Sequence, residues 1–191
     1  GPIIYGEIFI PRLRNGVGAH LWLKASPLMD RDGNIAGAIE TVRDITERRM
    51  AEEVLRESEA NYRTVFNGAN DAILIYDLED RCFSEVNKKA SEMFGFGTEE
   101  MARMSFEDLT AGTPPFTKAD AFRKFEGVRD DLLAGNPQLI EWLARDRAGK
   151  TFWVEMNLKI ASIWGETRVL AVVRDITARK IAEEALKASE A

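Results

Sequence analysis

Val42-Arg-Asp-Ile-Thr46 decides how this chain is read, because the same five residues return as Val173-Arg-Asp-Ile-Thr177. Each copy leads into a charged run of helical character. The first is Glu47-Arg-Arg-Met-Ala-Glu-Glu-Val-Leu-Arg-Glu-Ser-Glu-Ala60, the second Ala178-Arg-Lys-Ile-Ala-Glu-Glu-Ala-Leu-Lys-Ala-Ser-Glu-Ala191. A repeat takes precedence over local patterns, since overlooking one misassigns the fold. Upstream, an ungapped alignment sets Trp22 on Trp153, Leu23 on Val154, Gly18 on Gly149, Arg14 on Arg145 and Asn15 on Asp146. Residues 7–60 thus match residues 138–191, while residues 61–137 have no earlier counterpart. This phase predicts that the chain opens part-way through one module, holds a second whole one, and is a piece of a longer tandem array.

Composition narrows the function classes. The 191 residues carry a net charge of −6, which argues against the basic patch or stripe of a nucleic-acid-binding surface. Cys82 is the single cysteine, so neither a disulfide framework nor a paired-cysteine metal site is available. A reducing cytoplasm is the compartment this implies. No apolar run approaches the roughly 18–20 residues of a membrane helix, although a longer parent could be membrane-attached.

Working outward from the repeat, residues 7–14, 21–29 and 35–42 read as three strands. Asn15-Gly-Val-Gly18 and Asp30-Arg-Asp-Gly-Asn34 are the turns between them. Such a three-stranded sheet exposes an apolar face and needs a covering layer. From Ile45 the period changes: Ala51, Leu55, Ser58, Tyr62 and Val65 step by four and three, an amphipathic helix with heptad spacing. Residues 72–76 and 81–86 read as paired strands. Asn87 caps a helix closed by Gly95, Thr98 opens a short helix, and Lys118 to Ala134 forms a longer one. Three more strands follow: residues 139–145, 151–163 and 168–173. In the middle one Phe152, Val154, Met156, Leu158 and Ile160 face one way, while Glu155, Asn157 and Lys159 face the other.

This order resembles the PAS domain with its C-terminal PAC segment. The resemblance rests on Asp77 before the first turn, on Asn87-Lys-Lys-Ala-Ser-Glu-Met-Phe-Gly95, on Arg145-Asp-Arg-Ala-Gly-Lys-Thr-Phe-Trp153, and on Asp175-Ile-Thr177. One departure is the first turn, Asp77-Leu-Glu-Asp-Arg81, which lacks the usual glycine, so the strand after it is expected to be displaced. The resemblance implies an α+β fold: a five-stranded antiparallel sheet with helices packed on one face, flanked by amphipathic linker helices. The expected organisation is residues 1–44 as the last strands of a truncated first domain and 45–62 as a linker helix. Residues 63–177 form a complete domain, and 178–191 begin an output helix. It also implies a sensory or dimerisation module of a signalling protein such as a sensor histidine kinase. A ligand-free spacer used only for dimerisation is the alternative.

Chemistry-bearing residues are sparse. Cys82 sits at a strand start, whereas the light-sensing branch of the resembled family places its flavin-reactive cysteine in a helix. The complete module has no histidine for an axial haem ligand, and His20 reads as a surface strand residue. Histidine-ligated haem, cysteinyl-flavin photochemistry and metal binding are therefore disfavoured, and no cofactor is named. Glu99 with Glu100, and Asp130 with Asp131, diverge on helices as neighbours must. Ser162 has no histidine partner, so no catalytic residue is expected. A small-molecule pocket between sheet and long helix would be lined by Phe94, Phe122, Phe125, Trp142 and Met156, residues that core packing would also bury. Asn157 and Glu141 would serve only if they faced inward. Asp44, Thr46, Asp175 and Thr177 are expected to form the joints between sheet and exit helices of a homodimer.

Overall fold

The computed structural model describes residues 3–13 and 16–189. Arg14 of the expected first strand, Asn15 of the expected first turn, and the last two residues of the chain lie outside the described residues. The chain forms two compact units, with the boundary between Tyr62 and Arg63.

In the first unit, β1 (Ile4–Ile10), β2 (Ala19–Met29) and β3 (Ile35–Asp44) make an antiparallel sheet in that order. β1 lies earlier than residues 7–14 because Pro11 has no N–H to extend the ladder. The Asp30 carboxylate shapes the next turn, accepting the amides of Asp32 and Asn34 at 2.9 and 2.8 Å. Tyr5, Ile8, Phe9, Ile39 and Val42 remain exposed, as expected of three strands without a second layer. α1 (Thr46–Gly68) follows.

The second unit is a five-stranded antiparallel sheet, order β5-β4-β8-β7-β6. Its strands are β4 (Ala72–Asp77), β5 (Phe83–Val86), β6 (Gln138–Arg145), β7 (Thr151–Ile163) and β8 (Glu166–Asp175). Between β5 and β6 come α2 (Lys88–Phe94), α3 (Thr98–Met101), a 3-10 turn (Phe106–Leu109) and α4 (Lys118–Leu133). α5 (Thr177–Ser189) leaves β8. The core lies between the sheet and these short helices. Leu74 and Tyr76 of β4, Phe83 of β5, Val154 and Leu158 of β7, and Val169 and Ala171 of β8 meet Phe94, Met101, Phe125 and Leu132 there. Each is below one-tenth exposed, and fully burying such a side chain is worth about 1.5–3 kcal/mol. α5 has no buried residue.

Two readings of the sequence need correction. The turn after β4 replaces a glycine with Arg81, which takes the left-handed conformation at φ 55°. The strand behind it therefore starts at Phe83 instead of Arg81, with a register shift between Ile75 and Tyr76. The ungapped alignment also fails in the hairpins. Leu21 faces Asp44 in the first unit, whereas Val154 faces Asp175 in the second. The first hairpin is thus two residues longer, because a five-residue loop and a register shift near Leu28 replace the tight Trp164-Gly165 turn. His20, not Trp22, occupies the place of Trp153.

Candidate functional site

An apolar cavity of about 40 Å³ lies between the sheet and α4. Leu74, Val154, Leu158 and Val173 form its floor, Ala121 and Phe125 of α4 cover it, and Phe94, Trp142 and Met156 stand at its sides. Among the described residues Lys124 is the one charged group on its wall. This volume suits one or two waters, far below the roughly 300–1,000 Å³ of a site for a drug-sized ligand. Of the five residues expected there, the structure brings four together. Phe122 is the exception: α4 buries Ala121 and Phe125, one turn apart, and Phe122 is turned about 100° from the first and about 60° from the second. It is 43% exposed and lies under the Arg81 guanidinium at 4.7 Å. Cys82 does not line the cavity. Glu141 and Asn157 are exposed and point away from it.

The helix joints repeat one geometry in each unit. In the second, Asp175 Oδ1 accepts the Thr177 amide at 2.8 Å. Trp153 then clips the junction with two bonds. Its carbonyl accepts the Ile176 N–H at 2.9 Å, and its own N–H donates to Thr177 Oγ1 at 3.0 Å. In the first unit, Asp44 takes the Thr46 amide at 2.9 Å, His20 takes the Ile45 amide at 2.8 Å, and His20 donates to Thr46 Oγ1 at 2.9 Å. The repeated Asp-Ile-Thr is therefore a clip between the last strand, its neighbour and the first helical turn. Asp175→Ala is expected to loosen this joint by about 1 kcal/mol, as for a lost cap. Hydrogen exchange over residues 177–189 should then quicken, and unchanged exchange there would remove Asp175 from that role.

A cation one turn into each helix reaches back to an edge strand of its sheet. Arg49 pairs with Glu7 in the first unit. Lys180 Nζ lies 2.5 Å from Glu141, and Arg179 bridges Glu141 and Glu155 at 2.6 and 3.2 Å. The Lys180 hydrogen bond holds the Glu141 carboxyl below its ordinary 4.5, and Lys180 is raised in return. A depressed carboxylate contributes above its ordinary pKa and ceases to contribute as pH falls through the lowered one. The Lys180 amide resonance is accordingly expected to titrate with a midpoint below 4.5, and Glu141→Gln to abolish that step.

Sequence reasoning missed the joint of the incoming helix. Asn87 is fully buried and uses its whole side chain. Its Oδ1 accepts the amides of Ile73 and Ala90, each at 2.9 Å, and its Nδ2 donates to the carbonyls of Phe66 and Asp71 at 3.0 and 3.1 Å. The Asp71 carboxylate in turn grips Arg174 through two bonds at 3.0 and 2.7 Å, which holds that carboxyl below its usual range. Phe66 at the end of α1 and Asp175 before α5 are thus joined through Asn87, Asp71 and Arg174. Nearby, burial, with help from Glu107, pushes the Tyr76 phenol up to about 12, so it stays neutral within an aromatic cluster with Phe83, Phe106 and Phe125.

A five-stranded antiparallel sheet with short helices on one face defines the class of α+β modules to which the second unit belongs. The pattern of the PAS domain family matches residues 11–47 and 70–178. The chain belongs to the PAS domain family. Among proteins of known name, it is 27% identical over 142 residues to "Methyl sulfide methyltransferase-associated sensor" of Methanosarcina acetivorans. It is 29% identical over 149 residues to "Sporulation kinase E" of Bacillus subtilis. These alignments cover 73% and 78% of this chain but span only 13% and 19% of those proteins. Among solved structures, the PAS domain of an HTR-like protein from Haloarcula marismortui superposes with a TM-score of 0.57 at 26% identity, over 67% of this chain and 99% of that one. No helix among the described residues is long and apolar enough to cross a membrane.

Proposed function

We propose that this chain relays a signal between flanking helices in a cytoplasmic, multidomain signal-transduction protein such as a sensor histidine kinase. Residues 1–44 are the last strands of one PAS domain, 45–62 the linker helix, 63–177 a complete PAS domain, and 178–191 the start of the output helix. The observation that carries this reading is the repeated Asp-Ile-Thr clip: a signal arriving through one helix meets the same joint at the next. Occupancy of the cavity between Phe94, Phe125, Trp142 and Met156 biases the joints at Asp44, Thr46, Asp175 and Thr177. A ligand or partner shifts that balance only by its differential affinity for the two arrangements. No catalytic step is assigned to this chain. Exposed Met50, Val54, Leu55, Tyr62 and Val65 on α1, with Ile181 and Leu186 on α5, supply an apolar stripe suited to pairing with a second copy. The small cavity favours one second reading, a ligand-free spacer that dimerises through the same helices.

Native mass spectrometry of the purified chain separates the two. A dimer with excess mass supports the sensor and narrows its ligand by weight. A dimer of bare polypeptide mass supports the spacer. A monomer at micromolar concentration overturns pairing of this chain through its helices.

A further inference from the structure

We infer that the segment 110–117 couples the cavity to α5, with Trp142, Thr110, Phe116 and Trp153 as successive members; the inference rests on the reading of the cavity as the sensing site. Trp142 lines the cavity and donates its indole N–H to Thr110 Oγ1 at 2.8 Å. Thr110 is 1% exposed, and its hydroxyl proton goes on to the Phe116 carbonyl at 2.7 Å. That one hydroxyl therefore serves both neighbours, and a shift of Trp142 leaves a buried group without its donor. Such a group costs more than the bond itself contributes, so Trp142 and the segment move together. The Phe116 ring then meets Trp142 edge-on at 5.1 Å and Trp153 edge-on at 5.3 Å. Trp153 clips Ile176 and Thr177, and its ring receives the Lys180 ammonium at 5.5 Å.

The location of the segment makes this route mobile where the strands are not. It runs along the free edge of β6, the outermost strand, held by a bond from the Ala111 amide to the Leu143 carbonyl at 3.0 Å and a bridge between Thr110 and Ala144. Its displacement breaks few ladder bonds, whereas β7 and β8 are paired on both sides. Trp142 itself is half-buried and lines the cavity wall, so a molecule that fills the cavity presses on its ring.

Two variants and one gas test the link in the full chain. Trp142→Phe removes the indole donor, and Phe116→Leu removes the edge-on rings. Each is expected to quicken hydrogen exchange of amides 177–181 about five-fold, the scale of one lost hydrogen bond. Residues of one network are non-additive, so the double variant should exceed neither single one. Leu139→Ala, at an exposed site on the same strand, should leave those amides unchanged. Faster exchange confined to 110–117, or effects of the two variants that multiply, overturns the link. Dissolved xenon separates this from the sensing reading. Xenon that enters the cavity and alters exchange at 177–181 in the native chain but not in Phe116→Leu supports both. Equal alteration in both chains overturns the link alone. No entry of xenon counts against the sensing cavity, and the variants still decide the link.

Discussion

Asn87→Ala is expected to lower the stability of the second unit by about 3 kcal/mol. Each of its four bonds contributes on the order of 1 kcal/mol net, and the methyl group can replace none of the bonds to the amides of Ile73 and Ala90 and the carbonyls of Phe66 and Asp71. Solvation of the exposed part of that set recovers some of the loss, which is why the sum is placed below four full desolvation penalties. For a unit of this size the melting temperature should fall by roughly 10 °C. Asn87→Asp sharpens the test. Aspartate keeps the two accepted bonds and the helix cap, but it turns a carboxylate oxygen toward two carbonyls. It should therefore destabilise as much as alanine, although it is an equally good cap in isolation. If the aspartate variant retained native stability, the Nδ2 bonds would be worth nothing and the joint between α1 and the core would lie elsewhere. Amide exchange at residues 63–68 should quicken in both variants, because the Phe66 carbonyl is released.

What the sequence made legible here was local. An asparagine before Lys88-Lys-Ala-Ser-Glu-Met-Phe-Gly95 reads as a cap, and the cap is there, with Gly95 in the left-handed conformation closing the helix. The long-range half of the same side chain, reaching Phe66 and Asp71, leaves no periodic trace. The five-stranded sheet and its helical face followed from element order and from the alternation in β7, patterns that extend over many residues. Errors arose where a few residues decided the outcome. An ungapped comparison placed Trp22 on Trp153, and only the pairing of Leu21 with Asp44 revealed that His20 holds the clip. Phe122 reads as a cavity residue beside Phe125, yet α4 turns it under Arg81. The turn after Asp77 lacks a glycine, and nothing in the sequence marks Arg81 as the residue that adopts the glycine conformation. Trp164 does the same at the β7–β8 turn, with φ 54°. Both place a bulky side chain where the backbone favours glycine, a cost that composition cannot disclose.

Phe125→Ala should have the largest effect, a loss of about 3–5 kcal/mol, and it also tests what the cavity is for. Phe125 is 7% exposed, stacks on Phe106 at 5.6 Å and meets Tyr76 edge-on at 5.3 Å. Its removal forfeits the transfer free energy of the ring and adds the cost of the hole left behind, because a packed core relaxes only in part. That hole would merge with the existing 40 Å³ into an apolar chamber, the kind of space that stays dry and admits benzene. Benzene should therefore raise the melting temperature of the variant and leave the native chain unmoved, since a ligand stabilises only the state it binds. A loss below about 1.5 kcal/mol would mean that α4 collapses onto the sheet, and the chamber would then not form. Failure of benzene to stabilise a fully destabilised variant would mean that the chamber is flooded or closed. The decisive reading is taken at a distance. If filling the chamber slows exchange at the Thr177 clip, occupancy beneath α4 is transmitted to α5. If it restores stability and leaves that clip untouched, the core is a scaffold, and the signal passes through Asn87, Asp71 and Arg174 alone.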